Sequence, residues 1–413
     1  MPATSSSLIN AALGHLVDLP DADRAALTDG LPSLLDYLAW VPDPRDPRGV
    51  RHTLVSLLGL AAAAVLAGSR GFTATREWIW DASPQVLAAF GVRRDPLTRR
   101  YEPPDETTIR RLVQDLDADA LDLAIGSWLA RTFHAQDTAR RYGDNSRPAR
   151  RAVAVDGKAL RGTRHHTIDG QALHLLSVLD QAAGIVLNQT DVDGKKHEIT
   201  RFEPLLEPLD MVGAVVTADA LHTQRDHAEF LVTRKRAHYI LVVKKNQPSL
   251  YAQVKGLPWR NIPIMHAEDD HGRGRDERRT LKVVSLAEGL LFPHAAQAIR
   301  VTRRTRKAGS RKWKTITIYA VTSLAVHHAR PAELAAWIRG HWSIEALHHV
   351  RDVSFGEDAS QVRTRKGPRV MASLRNLTTG IFKLTGHENI AAALPEHSRD
   401  ATRTLTTLAI TPA

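Results

Sequence analysis

A carboxylate set at the end of a buried strand is the strongest constraint in this chain. Arg150 to Thr163 reads RRAVAVDGKALRGT, with Val153 and Val155 alternating with Ala152 and Ala154 before the run breaks at Asp156-Gly157-Lys158. That pattern fits a buried strand. An Asp there is costly unless its charge is compensated, and a divalent cation does so where further carboxylates converge. Alternatively the Asp terminates the strand and caps a turn. Lys158 and Arg161 place positive charge beside it.

The same arrangement recurs downstream. Val212 to Ala218 is an almost wholly apolar run that ends at Asp219, in TADALH. Runs buried on both faces belong to central strands of a parallel or mixed sheet, so Asp156 and Asp219 can lie at adjacent strand ends, where they repel unless a metal binds. Between them, His174 to Leu179 and Ile185 to Thr190 read as a hairpin, and Glu198 to Leu209 as a helix. Gln224 to Arg236 is a further helix, and Tyr239 to Val243 a fifth strand followed by Lys244-Lys245, a basic pair suited to phosphate. A third carboxylate comes on a helix, Pro331 to Val350. Leu334, Ile338, His341, Glu345, His348 and Asp352 recur at helical spacing, so an apolar stripe turns into His, Glu, His and Asp along one face. His348-His349 lacks the cysteines or HExxH spacing of a zinc site, which favours a metal-free role.

Charge narrows the partner. The 413 residues carry 56 Lys and Arg against 45 Asp and Glu, net +11, which points to a polyanion. The longest apolar run, Leu54 to Ala67, falls short of the roughly 20 residues that span a bilayer, so it reads as a core helix and the membrane drops away. No cysteine is present, which fits a reducing compartment and removes disulfides and thiol chemistry. No basic n-region of a secretory signal is visible in Met1 to Asp18. Length suggests two or three domains. Residues 1–135 pattern as helical, with arginine pairs that fit contact with DNA, interrupted by the three prolines of Pro42 to Gly49; 136–150 form a basic linker; 151–385 hold the strands; and 386–413 are a C-terminal tail.

With HWSIE at His341 to Glu345, DVSFGED at Asp352 to Asp358, and DPRDPRG ahead of an apolar helix, the chain resembles the DDE transposases of bacterial insertion sequences, in the H-repeat-associated branch. That resemblance implies an α/β fold: an RNase H-like mixed five-stranded sheet flanked by helices, preceded by an all-helical domain. It implies that Asp156, Asp219 and Glu345 bind two Mg2+ or Mn2+ ions and catalyse DNA strand cleavage and transfer, supported by His341, Asp352, His222 and Lys244. Its partners would be double-stranded DNA bearing terminal inverted repeats and target DNA, bound by a homodimer at the nucleoid of a bacterial cytoplasm. Broader relatives carry Arg and Lys where His341 and Asp352 stand; His341 could meet a phosphate as imidazolium, while Asp352 could bind a metal or orient His341. Two alternatives stay open: a structure-specific DNA nuclease without strand transfer, and a non-catalytic DNA-binding derivative.

The segment from about 259 to 323 exceeds what such a core needs and reads as a β-rich basic insertion, with strands at Leu281 to Leu286, Ala298 to Thr302 and Lys314 to Thr322. Between His271 and Lys314 it holds 13 basic residues against 3 acidic ones. Arg303, Arg304, Arg306, Lys307, Arg311 and Lys312 are expected at a hairpin tip contacting phosphates, with Trp313 stacking on an unpaired base or packing the insertion. Lys158, Arg161 and Lys245 complete the expected DNA contacts.

Overall fold

A computed structural model describes residues 33–48, 50–141, 150–166, 170–192, 197–272, 274–286 and 292–410. Residues 1–32 of the expected helical domain, and most of the linker, 142–149, lie outside the described residues.

The amino-terminal half is helical as its pattern requires. Helix α1 (Leu34–Leu38) starts at a Ser33/Asp36 capping box, and α2 (Leu54–Leu66) at Thr53, whose hydroxyl accepts the Ser56 N–H at 3.2 Å. Helix α2 is buried along nearly its whole circumference, so its apolar run is a core element. Four more helices follow: α3 (Phe72–Asp81), α4 (Pro84–Ala89), α5 (Glu106–Asp115) and α6 (Ala118–Arg141).

The sheet is larger than expected. Its strands are β1 (Ala152–Leu160), β2 (Leu173–Asp180), β3 (Val186–Val192), β4 (Val215–Ala218), β5 (His238–Val243), β6 (His266–Gly272), β7 (Arg275–Ser285), β8 (Gln297–Lys307) and β9 (Lys314–Thr322). They form one nine-stranded sheet in the order β3-β2-β1-β4-β5-β9-β8-β7-β6. Strands β1, β4 and β5 run parallel; every other neighbouring pair is antiparallel. The five strands read from sequence are therefore one part of a nine-stranded sheet. Its insertion does not fold apart: β9 pairs with β5, Ile240 opposite Thr322, and carries the sheet onward.

Both sheet faces are covered. Val153, Val155, Val216, Ala218 and Leu241 share the largest core with residues of the amino-terminal helices and of α7 (Glu198–Leu206). On the opposite face, Ala152, Val215 and Ile240 pack against Leu334 and Trp337 of α10 (Pro331–Gly340), numbered after α8 (Arg225–Glu229) and α9 (Pro248–Gly256). There too, Ala154, Leu179 and Val186 pack against Ile344 and Leu347 of α11 (Trp342–Val353). The single helix expected from Pro331 to Val350 is thus divided at His341. After it, α12 (Gly367–Leu384) is buried along most of its length, and the expected tail supplies α13 (Ile390–Arg399) and α14 (Ala401–Thr407). These last two pack against α2, and α14 also against α4.

Candidate active site

Register brings the first two carboxylates together. Strand β1 does not end at Asp156: it runs on to Leu160, paired throughout with β2, Asp156 opposite Ser177. What ends there is its parallel partner, since the last β1–β4 pair is Val155 with Ala218. Asp156 and Asp219 are each the next residue after that pair. Neighbouring strands lie roughly 4.8 Å apart, so the two residues are side by side where β4 leaves the sheet. Alternation also fixes their direction. Ala152 and Ala154 on β1, and Val215 on β4, belong to the face covered by α10 and α11, so Asp156 and Asp219 point to that face as well. Ligand sites of open α/β sheets form at such carboxyl ends of parallel strands.

Contacts of α10 and α11 put Glu345 on the same side. The His341 ring, at the junction of the two helices, lies with Nδ1 3.1 Å from Oγ1 of Thr217, two residues before Asp219. One turn past Glu345, Nδ1 of His348 lies 3.8 Å from Asp156 Oδ2. Glu345 falls between these two histidines on one helical stripe, on the side of the sheet where β4 leaves β1. It is exposed at the first turn of its helix. Asp219 accepts the Leu221 N–H at 2.9 Å, and caps the short turn that follows β4.

Burial disfavours the charged form of both histidines. Burial holds His341 below its ordinary value against the opposing field of Asp219, and burial, with the charges of Arg351 and Lys158, pushes His348 down to about 3. In this structure the His341 ring is anchored on Thr217, and its burial works against the imidazolium form expected to meet a phosphate. That threonine, which also receives the Gln181 amide at 2.8 Å, escaped sequence reasoning, although its strand position two before Asp219 already faced it toward the site.

Several supporting residues have other work. Lys158 is buried, and its Nζ donates to both carboxylate oxygens of Asp352 at 2.7 Å, with Glu357 4.0 Å away. It is therefore turned away from DNA, and Asp352 pairs with Lys158 rather than with His341. Glu357 in turn receives Arg351 and Arg375, both buried, locking α11 to α12. His222 is a core residue, stacked on Phe202 and 5.7 Å from the His227 ring centroid, and burial pushes it down to about 4. Lys244 and Lys245 stand exposed just past β5, and Arg161 is exposed near Asp358.

At the insertion, Arg303 pairs with Glu277 at 2.7 Å and Arg306 with Asp276 at 2.7 Å. Trp313 lies between Arg304 and Arg306, whose guanidinium carbons are 4.9 and 4.6 Å from its ring centroid. It packs the insertion in this way. Arg304, Lys307, Arg311 and Lys312 are exposed.

The donor chemistry suits hard divalent ions, because carboxylate oxygens match magnesium or manganese. Strand register supplies two such donors side by side. No group of three or more His, Asp or Glu side chains is close enough to hold a metal among the described residues.

A family model described as Transposase DDE domain matches residues 147–379, and one described as DDE_Tnp_1-associated matches residues 35–129. The chain is 28% identical over 380 residues to the "Putative transposase YncI" of Escherichia coli O157:H7, covering 85% of this chain and 87% of that one. It is 26% identical over 383 residues to the "H repeat-associated putative transposase YhhI" of Escherichia coli strain K12, covering 90% and 95%. Among solved structures, a piggyBac transposase synaptic complex with hairpin DNA overlaps with a TM-score of 0.38 at 9% identity, over 92% of this chain and 80% of that one.

Proposed function

The chain belongs to the transposase DDE domain family, and on that premise we propose that it cleaves DNA strands and joins them to a target, with Asp156, Asp219 and Glu345 as the catalytic carboxylates. The observation that carries this is the register: Asp156 and Asp219 follow one parallel pair, on the sheet face covered by the helix of Glu345. The β3-β2-β1-β4-β5 order, with β2 antiparallel to its neighbours, supports an RNase H-like core within the larger sheet.

These three carboxylates would hold two magnesium or manganese ions. When bound, such ions activate an oxygen nucleophile and stabilise the leaving alkoxide of a phosphodiester. The chain's own residues do the rest. Asp156 and Asp219 are held by adjacent strands, so their spacing is set by backbone hydrogen bonds. Thr217 anchors His341, and the Lys158–Asp352 pair ties β1 to α11, so the helix bearing Glu345 is positioned at both ends. Lys244 and Lys245, exposed at the same end of the sheet, meet phosphate in this reading. Substrates of this site are DNA ends with inverted repeats and a target duplex, engaged by a dimer of the chain.

The test is metal-dependent nicking of a duplex carrying the element's end. Asp156→Asn, Asp219→Asn and Glu345→Gln keep shape and remove one charge each. Every one of them is expected to lower nicking by more than a hundredfold while DNA binding persists, since a lost ligand removes both functions of the metal site. Activity within tenfold of wild type for any of the three would remove that residue from the site.

A further inference from the structure

We infer that the hairpin from Arg93 to Glu102 is a second DNA-binding element, a rigid basic finger whose leucine tip wedges into the minor groove of a duplex. The inference rests on the reading of the chain as a DNA-processing protein, and extends it to a part of the surface remote in sequence from the three carboxylates.

The base of the hairpin is fixed in the amino-terminal core. Phe90, Val92 and Pro104 are buried, and the Trp80 indole N–H donates to the Pro104 carbonyl at 3.3 Å. From that base two short arms rise, bridged between Arg94 and Tyr101, with Glu102 N–H donating to Arg93 O at 2.9 Å and Asp95 N–H to Arg100 O at 2.8 Å. The tip is closed by Asp95, whose Oδ1 accepts from Leu97 N at 2.9 Å, Thr98 N at 2.6 Å and the Thr98 hydroxyl at 3.0 Å. Those bonds hold its carboxyl below the ordinary range, so its charge is spent on the turn.

On this fixed scaffold the side chains are arranged for an anion. Leu97 is 91% exposed, the most exposed large apolar side chain among the described residues. Arg93, Arg94, Arg99 and Arg100 flank it. Arg93 pairs with Glu102, and Arg94 bonds the Arg99 carbonyl, whereas Arg99 and Arg100 extend into solvent. Arg99 also sits at φ +60°, where Asn or Gly would fit with less strain. Strain kept for a charged side chain at an exposed tip is understandable if that charge is used. An apolar wedge between arginines is the chemistry by which proteins enter the minor groove and open a base step.

The experiment uses the full chain with duplexes carrying the element's end or a random sequence, some with 2-aminopurine at successive positions. Leu97→Ala is expected to lower affinity about tenfold, the size of burying most of one leucine side chain, and to abolish 2-aminopurine unstacking without changing the salt slope. Arg99→Asn with Arg100→Gln is expected to flatten the slope of log affinity against log salt by about 1.8, at roughly 0.9 per lost phosphate contact. Arg99→Asn relieves the backbone, so it should raise or maintain thermal stability while weakening binding, which a purely structural turn residue would not do. Unchanged affinity and unstacking in Leu97→Ala would overturn the inference. So would a loss of self-association in that variant without DNA, since the tip would then meet a second copy of the chain. Absence of duplex binding by the unaltered chain would overturn both this and the functional reading; binding with no response to the variants overturns this one alone.

Discussion

His222, three residues after a candidate catalytic Asp, is held in the core. Both ring nitrogens lack hydrogen-bond partners among the described residues, Glu198 is 3.9 Å away, and Phe202 and His227 stack nearby. Burial first, then the neighbouring His227, pushes its pKa to about 4, against Asp219. With a folded value of about 4 and an unfolded value near 6.5, this ring favours folding above pH 6.5 and loses that contribution as pH falls toward 4. The amount lost is about 3 kcal/mol. His222→Phe keeps the stacking without a titrating group, so its melting temperature should fall less than wild type between pH 6.5 and 4. Equal pH profiles would show that His222 does not carry the dependence. Lys158 and Asp352 make the complementary case. Asp352→Asn leaves a buried ammonium short of its counter-charge and should cost about 2–4 kcal/mol. Lys158→Met costs less, because Asp352 is 32% exposed and can turn to water. Nicking by Asp352→Asn, corrected for folded fraction, should stay near wild type; its abolition would restore Asp352 as a metal ligand.

Elements divide by how their burial writes itself into sequence. Strands β1, β4 and β5 are buried, so apolar runs revealed them, and the Asp that closes the apolar run in each of the first two was legible from the same pattern. Glu345 was legible from its helical stripe. The division of that helix at His341 was not, because Thr217 anchors the ring from a strand far away in sequence. Strand β6 was missed for a different reason: Glu268, Asp269 and Asp270 lie on an exposed edge with no alternation to detect, and Glu268 and Asp270 hold Arg339. Outer β7 and β8 were read too short, since their basic ends pair through backbone and ion pairs, Arg303 with Glu277 and Arg306 with Asp276. Those pairs separate the six cations once expected to act alike. Replacing Arg304, Lys307, Arg311 and Lys312 by Ala should flatten the salt slope of duplex binding by up to about 3.6, at roughly 0.9 per contact. Replacing Arg303 and Arg306 should instead lower thermal stability with a smaller change of slope. Equal slopes for both variants would mean that the ion pairs open on DNA.

At the scale of the whole chain, the helical segment and the sheet are not separable, and backbone contact is the reason. Helix α6 crosses β3 so closely that a Cβ at Gly126 would overlap the Leu187 carbonyl. Arg369 of α12 adds a polar clasp between the same elements: its guanidinium binds Asp122 of α6 at 3.0 Å and Asp191 of β3 at 2.6 Å. Apolar residues of α2, α6, β1, β4 and α12 form one continuous core. Hydropathy alone had suggested a cut between helices and strands, because close approach of two backbones leaves only a glycine in the sequence, and a glycine has many other uses. Two substitutions test the point. Gly126→Ala must push apart a helix and a strand that are both fixed by hydrogen bonds, so it should cost about 3 kcal/mol or more. Gly380→Ala on α12 meets the end of the Leu129 side chain at 2.9 Å, which can rotate away, so it should cost far less. Unfolding of wild type followed by far-UV circular dichroism and by fluorescence of its eight tryptophans, which include Trp128 in α6 and Trp337 in α10, should give one coincident transition. Two separated transitions, with Gly126→Ala no more destabilising than Gly380→Ala, would mean that helices and sheet fold as independent units.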